Sequence, residues 1–407
     1  MAVDNSDSRT SFRSEEQASD QNGPENYFWI ERIARKLGFD RIGEMLFGRP
    51  DVAAYIFLST ILFIQIPLFI TLNYYLTGFF DPFQLPGRIV IIVGLLYGLW
   101  AMRRLRDKYE NAVQGIVNDE SAEYFEQELS KPAQLLLRFA TSSGKLDSPD
   151  QTLTELSSPV FKGTILLILW ITYAIWLWFN PAGIQGFFVN RHPVLVAISI
   201  FGIIPFIYYL LFAEFLSLYA SIVLLLPLKI RSIGYINFQD EFGYGNLKFI
   251  GDLAKSATIY YFIGVAAYFI LQVFSEAFGR VDVVGYVIWN AIGISIAIGV
   301  ALFFLPIITI HSHMKHAKHQ KIRQIADQIK NKGPSGDTEM FPDTKVPSSI
   351  DEGQEYFHLY IKMRRVESNH EYPLDMSHIQ ELVLGAIIPY IAHVTVSYLI
   401  KVTNAGH

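Results

Sequence analysis

Residues 384–400 read LGAIIPYIAHVTVSYLI, and the fold prediction starts from this stretch. With its flanks it is long enough to cross about 30 Å of hydrocarbon, since a helix rises about 1.5 Å per residue. His393, Thr395 and Ser397 nevertheless lie in its middle. Polar groups inside a membrane span face protein or water rather than lipid. The stretch therefore predicts a membrane helix that does more than anchor the chain.

Apolar blocks of this kind recur along the chain. Of 407 residues, 51% are hydrophobic and only 17% are charged, and the mean hydropathy is +0.27, which is more apolar than ordinary soluble domains. The blocks lie at 53–76, 87–102, 159–179, 193–228, 258–275, 283–310 and 379–400. The sequence thus predicts an all-α, polytopic membrane protein with seven transmembrane helices.

Several function classes find no support in the composition or the motifs. The chain has no cysteine, which excludes disulfides, thiolate metal sites and cysteine nucleophiles. A net charge of -5 gives no reason to expect a nucleic-acid partner. No Walker loop, nucleophile elbow or HExxH motif occurs, so we expect a protein that is not an enzyme and holds no cofactor. The histidines between His311 and His319 have helical spacing, but a basic helix beside the membrane explains them without a metal ion.

The distribution of basic residues predicts the orientation. Arg and Lys are frequent in the connections that would lie inside if the N-terminus were cytoplasmic, whereas the opposite connections hold Arg88, Arg191, Arg280 and Lys401. The positive-inside rule therefore predicts a cell-membrane protein with a cytoplasmic N-terminus and an extracellular C-terminus. Dividing the long 193–228 block into two spans near Pro205 would reverse this distribution. We therefore expect one long helix there, with its C-terminal half beyond the membrane.

The spans and their flanks predict five regions. A stretch around WIERIARKLGFDRIGEML (29–46) has Ile30, Ile33 and Leu37 on one side and indicates an interfacial helix. The regions are a disordered acidic tail (1–26), an interfacial amphipathic helix (27–50), spans one to six with cytoplasmic extensions (53–310), cytoplasmic anchor helices (311–370) around a disordered loop (333–349), and the seventh span with a short extracellular tail (371–407).

The motif VLGAIIPY (383–390) is similar to the Leu-Gly-Ala, two aliphatics, Thr-Tyr sequence of odorant co-receptors. Together with the predicted topology and the long fourth and sixth helices, it makes residues 27–407 resemble the insect odorant and gustatory receptor superfamily of seven-transmembrane ion channels. Pro389 stands where the motif has threonine. The resemblance implies a homotetrameric cation channel, gated by a small molecule or another stimulus. Its last spans would line one central pore, and its cytoplasmic helices would form the main contact between subunits.

The resemblance also implies the pore residues. Counted from Tyr390, the constriction positions of the family fall on His393 and Ser397, and Val396 stands where the family usually has glutamine. The spacing of the tyrosine, histidine and serine independently places them on one helix face with Ala386. Such a face is either a pore wall or a contact with another helix. In a pore, a ring of imidazoles would make conduction sensitive to acid.

Two alternatives stay open in the sequence. Glu214 is the one acidic residue inside a long apolar block, and such a carboxylate is a functional candidate. Its predicted depth near the membrane interface favours a structural pairing instead. The alternative function is a secondary transporter of a small solute, because Pro205 and Pro306 would interrupt two spans, although no internal repeat is visible. The expected partners are further copies of the chain, membrane lipids and a small-molecule ligand.

Overall fold

The computed structural model describes residues 28–78, 84–119, 121–125, 129–141, 153, 156–179, 192–240, 243–244, 246–277, 285–332, 350–370 and 376–405. These residues are predominantly helical, which confirms the main feature of the predicted all-α class. The predicted acidic tail (1–26) and the whole predicted loop (333–349) lie outside the described residues.

The elements of the described residues follow a simple order along the chain. They are α1 (Trp29–Lys36), α2 (Phe39–Phe47), α3 (Ala53–Thr77), α4 (Gln84–Val117), β1 (Glu123–Tyr124), α5 (Lys131–Ala140), α6 (Pro159–Phe179), α7 (193–233), β2 (Tyr235–Ile236), α8 (Lys248–Ala277), α9 (Gly285–Lys332), α10 (Ile350–Ser368) and α11 (Met376–Ala405). Within the described residues, the seven predicted apolar blocks coincide in order with the long helices α3, α4, α6, α7, α8, α9 and α11.

Helix length and composition support a membrane protein. Within the described residues, four helical stretches are long and apolar enough to cross a membrane, namely Pro50–Thr77, Pro159–Phe179, Pro205–Ile233 and Gly293–Lys330. A shorter apolar stretch covers Val383–Thr395 in α11. The seven spans and their orientation stay a prediction.

Helix α7 covers the long 193–228 block as one helical run, in agreement with the sequence prediction. Its successive segments are Pro193–Ala197, Ile198–Tyr208, Tyr209–Ala220, Ser221–Leu225 and Leu226–Ile233. The second and fourth segments are π-helical. Pro205 lies in the first of these π-helical segments, where the hydrogen-bond pattern already departs from that of an α-helix. Because proline offers no N–H group, it fits such a segment better than a regular helix interior.

The described chain forms two compact units. The first contains Met1–Phe80 and Leu177–Glu214, and the second contains Asp81–Trp176 and Phe215–His407. In the first unit, the predicted interfacial helix (27–50) is divided into α1 and α2. Gly38 separates them with a φ of 84°, a left-handed conformation that glycine adopts without steric cost. The backbone conformation of Gly38 therefore divides a stretch whose apolar pattern predicts a single helix.

A close backbone approach fixes α2 against the beginning of α3. A Cβ atom on Gly43 would lie 2.8 Å from the carbonyl oxygen of Arg49 and 3.0 Å from a methyl group of Val52. The rings of Phe39 and Phe57 also meet edge to face, with centroids 5.3 Å apart. Glycine at position 43 is thus what allows the two helices to pack this closely.

In the second unit, α8, α9 and α11 pack around the ring of Phe262. The ring is fully buried. A Cβ atom on Gly299 of α9 would overlap it, and one on Gly385 of α11 would lie 3.3 Å from it. Small residues of this kind let membrane helices approach closely. The core around the ring also contains Ala254, Phe303 and Ile307.

Helix α8 begins well before its apolar block (258–275). Four apolar residues with helical spacing precede the block and are all buried, three of them in α8 and the first just before it: Leu247, Ile250, Ala254 and Ala257.

A two-stranded antiparallel pairing was not predicted from the sequence. β1 follows α4, β2 follows α7, and Tyr124 pairs with Tyr235. The N–H group of Phe125 also donates to the carbonyl oxygen of Gly234 at 2.9 Å. Gly234 has a φ of 75°, and a Cβ atom there would overlap the backbone of Phe125. A pairing of two residues leaves too short a pattern to be visible in the sequence.

Gly299→Ala should make the protein less stable than Gly293→Ala. Both changes lie in α9 and both gain helix propensity, about 1 kcal/mol. Position 293 faces open space, whereas the new methyl group at position 299 would overlap the ring of Phe262, and overpacking costs about 1–3 kcal/mol. Thermal unfolding midpoints in detergent measure the difference. Equal midpoints would contradict the packing around Phe262.

Candidate functional site

The predicted pore residues on α11 have different surroundings. Ala386 packs against the core around Phe262. His393 and Ser397 are half-buried, and the imidazole ring of His393 meets the ring of Phe269 on α8 edge to face, with centroids 6.4 Å apart. Tyr390 is 45% exposed. The predicted face is therefore turned partly toward α8, with the tyrosine exposed.

Val396 belongs to the same prediction, but its side chain lies outside the part of the chain that the structure describes. The backbone of α11 is helical through this position. The assignment of Val396 as a pore-lining residue thus stays a prediction.

The neighbouring face of α11 is apolar and exposed. Its side chains are between 41% and 67% exposed: Ile387, Ile391, Val394 and Tyr398. A mainly apolar face of a membrane helix suits contact with lipid or with another helix. An apolar surface of this kind on a single chain needs a cover, which lipid or another subunit would supply.

Glu214 caps the N-terminus of α1 in the first unit. The side chain is buried, and its carboxylate accepts hydrogen bonds from the backbone N–H groups of Trp29 and, at 3.5 Å, of Ile30. The first N–H groups of a helix have no partner within the helix, and the positive end of its dipole favours a negative charge. The placement therefore fits the structural pairing that the sequence analysis favoured for this residue.

The carboxylate of Glu214 should be required to hold α1 in place. Glu214→Ala removes both acceptor oxygens, and loss of a helix cap costs about 0.5–2 kcal/mol. We therefore expect hydrogen exchange in α1 to become about 2- to 30-fold faster, with a smaller effect for Glu214→Gln, which keeps one acceptor oxygen. Mass spectrometry of the exchanged protein measures this rate. Glu44→Ala, at an exposed position on α2, is the control and should leave the rate unchanged. An unchanged rate in Glu214→Ala would refute the cap.

Asp119, just after α4, is the centre of a polar network in the second unit. One carboxylate oxygen accepts hydrogen bonds from the Tyr235 hydroxyl at 2.6 Å and from the side-chain amides of Asn237 at 2.9 Å and Asn246 at 3.0 Å. The other accepts from the Ser121 backbone N–H at 3.0 Å. All these donors are neutral, so the network as a whole carries a single negative charge.

The network shifts the pKa values of the two ionisable side chains at its centre, Asp119 and Tyr235, in opposite directions. Partial burial acts to raise the pKa of Asp119, but the hydrogen bonds from Tyr235, Asn237, Asn246 and Ser121 outweigh it and hold the pKa below its ordinary value. Burial, reinforced by the carboxylate that it faces, raises the pKa of Tyr235. The tyrosine hydroxyl therefore stays protonated and continues to donate to the carboxylate.

His313 joins the same network from α9. Its Nε2 atom lies 2.9 Å from the carbonyl oxygen of Tyr235. A carbonyl oxygen only accepts, so Nε2 carries the proton and donates. The imidazole is buried, which gives one of the histidines between His311 and His319 a structural role. Among the described residues, no three His, Asp or Glu side chains are grouped as metal ligands would be.

Further contacts tie α9 and the end of α10 to the same region. Lys321 pairs with Glu123 of β1 at 2.5 Å. Lys318 donates to the carbonyl oxygen of Asn369 at 3.0 Å, and the Asn369 side chain donates to the carbonyl oxygen of Phe238 at 3.3 Å. The arrangement joins the ends of α4, α7 and α10 to the body of α9. Because its donors satisfy the carboxylate, it is built for rigidity rather than for catalysis.

The side chains of Asp119 and Tyr235 should be energetically coupled. Asp119→Asn removes the charge that strengthens this hydrogen bond and Tyr235→Phe removes its donor, so the double variant should lose less free energy of unfolding than the two single losses added, by about 0.5–3 kcal/mol. Denaturant unfolding measures this difference. Tyr261→Phe, whose hydroxyl donates to Ser295 on α9 at 3.1 Å, is the matched control and should be additive with Asp119→Asn.

The pH dependence provides a second measure of the same coupling. A lowered pKa means that the folded state binds its proton less readily than the unfolded state, so the stabilisation is present above about pH 4 and is lost as the pH falls through the folded value. Asp119→Asn should lack this loss. Additive single variants, or the same acid response in Asp119→Asn as in wild type, would count against the network.

No protein-family model, curated protein or solved structure matches the chain. The resemblance to the insect receptor superfamily therefore stays a prediction. It depends on VLGAIIPY (383–390) and on the order of the long helices.

Proposed function

We propose that the chain is one subunit of a stimulus- or ligand-gated cation channel of the insect chemoreceptor type. The channel is a homotetramer in the cell membrane, with seven spans per subunit and a cytoplasmic N-terminus. The observation that carries the proposal is the placement of α11, which is supported on one side by a tightly packed core and exposed on the other.

The support of α11 comes from the core around Phe262. Gly385 and Ala386 bring the backbone of α11 close to that core, so the helix has a defined position in the unit. Its exposed face is free to meet the same face of other copies around a symmetry axis. Closed cyclic symmetry is the usual arrangement of identical subunits. Four such helices around one axis would form the wall of a pore.

The side chains of α11 suit a gated pore. Its exposed face is mainly apolar, with Tyr390 exposed and with His393 and Ser397 half-buried beside it. An apolar constriction closes a channel by excluding water, and a small rotation that brings polar groups to the axis would let water enter. The partial turn of His393 toward α8 fits a closed arrangement in this scheme.

A second apolar surface supports assembly. On α10, the side chains of Phe357, Tyr360 and Ile361 are 63%, 40% and 46% exposed. Arg364 lies over the ring of Tyr360, 5.6 Å from its centroid. Aromatic and arginine side chains are enriched at protein interfaces. We assign this surface to the contact between subunits on the cytoplasmic side.

The alternative is a secondary transporter of a small solute. The π-helical segment around Pro205 gives it some support, because transporters place their sites at interrupted helices. A transporter would move solute without discrete current steps.

Purified protein in planar bilayers should produce discrete, cation-selective current steps. Acidification from about pH 7.5 to about pH 5.5 should change the wild-type current, because imidazole is the side chain whose charge changes in this range. His393→Leu should abolish the response. His358→Leu, at an exposed position on α10, is the matched control and should keep it.

Two results would argue against this account. Solute uptake without current steps from the folded, assembled protein would favour the transporter. Equal acid responses of wild type and His393→Leu would remove the histidine from the pore and leave it as a contact of α8.

A further inference from the structure

Helix α2 carries a concentrated set of exposed apolar side chains. Met45 is 78% exposed and Leu46 is 61% exposed, and Ile42 lies on the same side by helical spacing. Glu44 lies on another side, Arg41 borders the apolar side next to Met45, and both are also exposed. The helix is therefore amphipathic on its outer surface, in addition to the face that packs against the protein.

The position of α2 is fixed by its inner face. Gly43 lies against Arg49, Val52 and Ile56, at the turn before α3 and in its first turn. Gly48 ends α2 with a φ of 66°, and the short helical turn Pro50–Val52 leads directly into α3. Helix α3 belongs to the first stretch that is long and apolar enough to cross a membrane. The outer surface of α2 therefore lies at the level where the chain enters the membrane.

The length and the charges of α2 favour lipid as the partner of this exposed apolar surface. At nine residues, α2 is about 14 Å long, too short to cross a membrane but long enough to lie along its surface. Arg41 and Arg49 stand beside the apolar side chains in the sequence. Basic residues at this depth attract the negatively charged head groups of lipids. Apolar and basic residues combined in a helix parallel to the membrane are typical of interfacial helices.

We infer that α2 binds the lipid surface itself, with Ile42, Met45 and Leu46 inserted at the boundary between head groups and acyl chains. Of the three residues that the sequence pattern grouped on the interfacial side of 29–46, Ile30 is buried within the protein, whereas Ile33 and Leu37 are exposed. The lipid contact inferred for α2 adds to this predicted side. This inference does not depend on ion conduction.

The absence of cysteine from the sequence allows a direct test on the full-length protein. Single variants Met45→Cys and Leu46→Cys report on the apolar side, and Glu44→Cys is the matched control on the polar side. Each is labelled with the same small fluorophore and reconstituted into vesicles of phosphatidylcholine and phosphatidylglycerol. Quenching is measured with lipids brominated near the head group and, separately, with aqueous iodide. All three positions are exposed, and thermal unfolding midpoints check that the labelled variants keep the fold.

We expect labels on the two sides of the helix to respond oppositely to the two quenchers. Labels at positions 45 and 46 should lose most of their fluorescence to brominated lipid and little to iodide, whereas the label at position 44 should respond mainly to iodide. Equal iodide quenching at positions 44 and 45 would place the surface in water and overturn the inference. Protection at position 45 from both quenchers would overturn it as well, because protein, such as a second copy of the chain, would then cover the surface.

Discussion

Burial of the Phe262 ring between Gly299 and Gly385 sets the arrangement of three long helices in the second unit. Without side chains at these two positions, α9 and α11 approach α8 closely enough for dispersion contacts to be made all around the ring. This matters most for α11, because a membrane helix gains no hydrophobic advantage from leaving lipid for another apolar surface. The position of α11 must therefore come from close packing of its side chains against α8 and α9. The proposed pore depends on that fit, since the face opposite the ring is the one presented to other subunits.

A different kind of interaction organises the polar end of the same unit. Asp119 accepts hydrogen bonds from three neutral side chains and one backbone N–H group, so its charge is stabilised without a cation. His313 and the pairing of β1 with β2 hold the surrounding backbone. Hydrogen bonds to a charged group are stronger than those between neutral groups. The ends of α4, α7 and α10 and the body of α9 are therefore joined by a network whose members stabilise one another. In a channel, such a junction would transmit movement between the cytoplasmic helices and the spans.

Most of the helical architecture was predictable from local pattern. Apolar blocks indicated the long helices, although α8 begins at Lys248, before its block. The break at Gly38 was missed because the apolar period continues across it. The partner of Glu214 was not predictable either, since the capped N–H groups lie 185 and 184 residues away in the chain. The face of α11 was only partly predictable. Periodicity groups Tyr390 with His393, but the contact with Phe269 depends on how two helices pack.

If copies of the same chain cover the exposed surfaces of α11 and α10, the purified protein will not be a single chain. The mass of the intact particle, measured in detergent under native conditions, tests this most directly. A homotetramer has four times the mass of one chain, which is 46.4 kDa. A stable particle of one chain, with the thermal unfolding midpoint of the protein in membranes, would contradict the proposal, because a single α11 cannot enclose a pore.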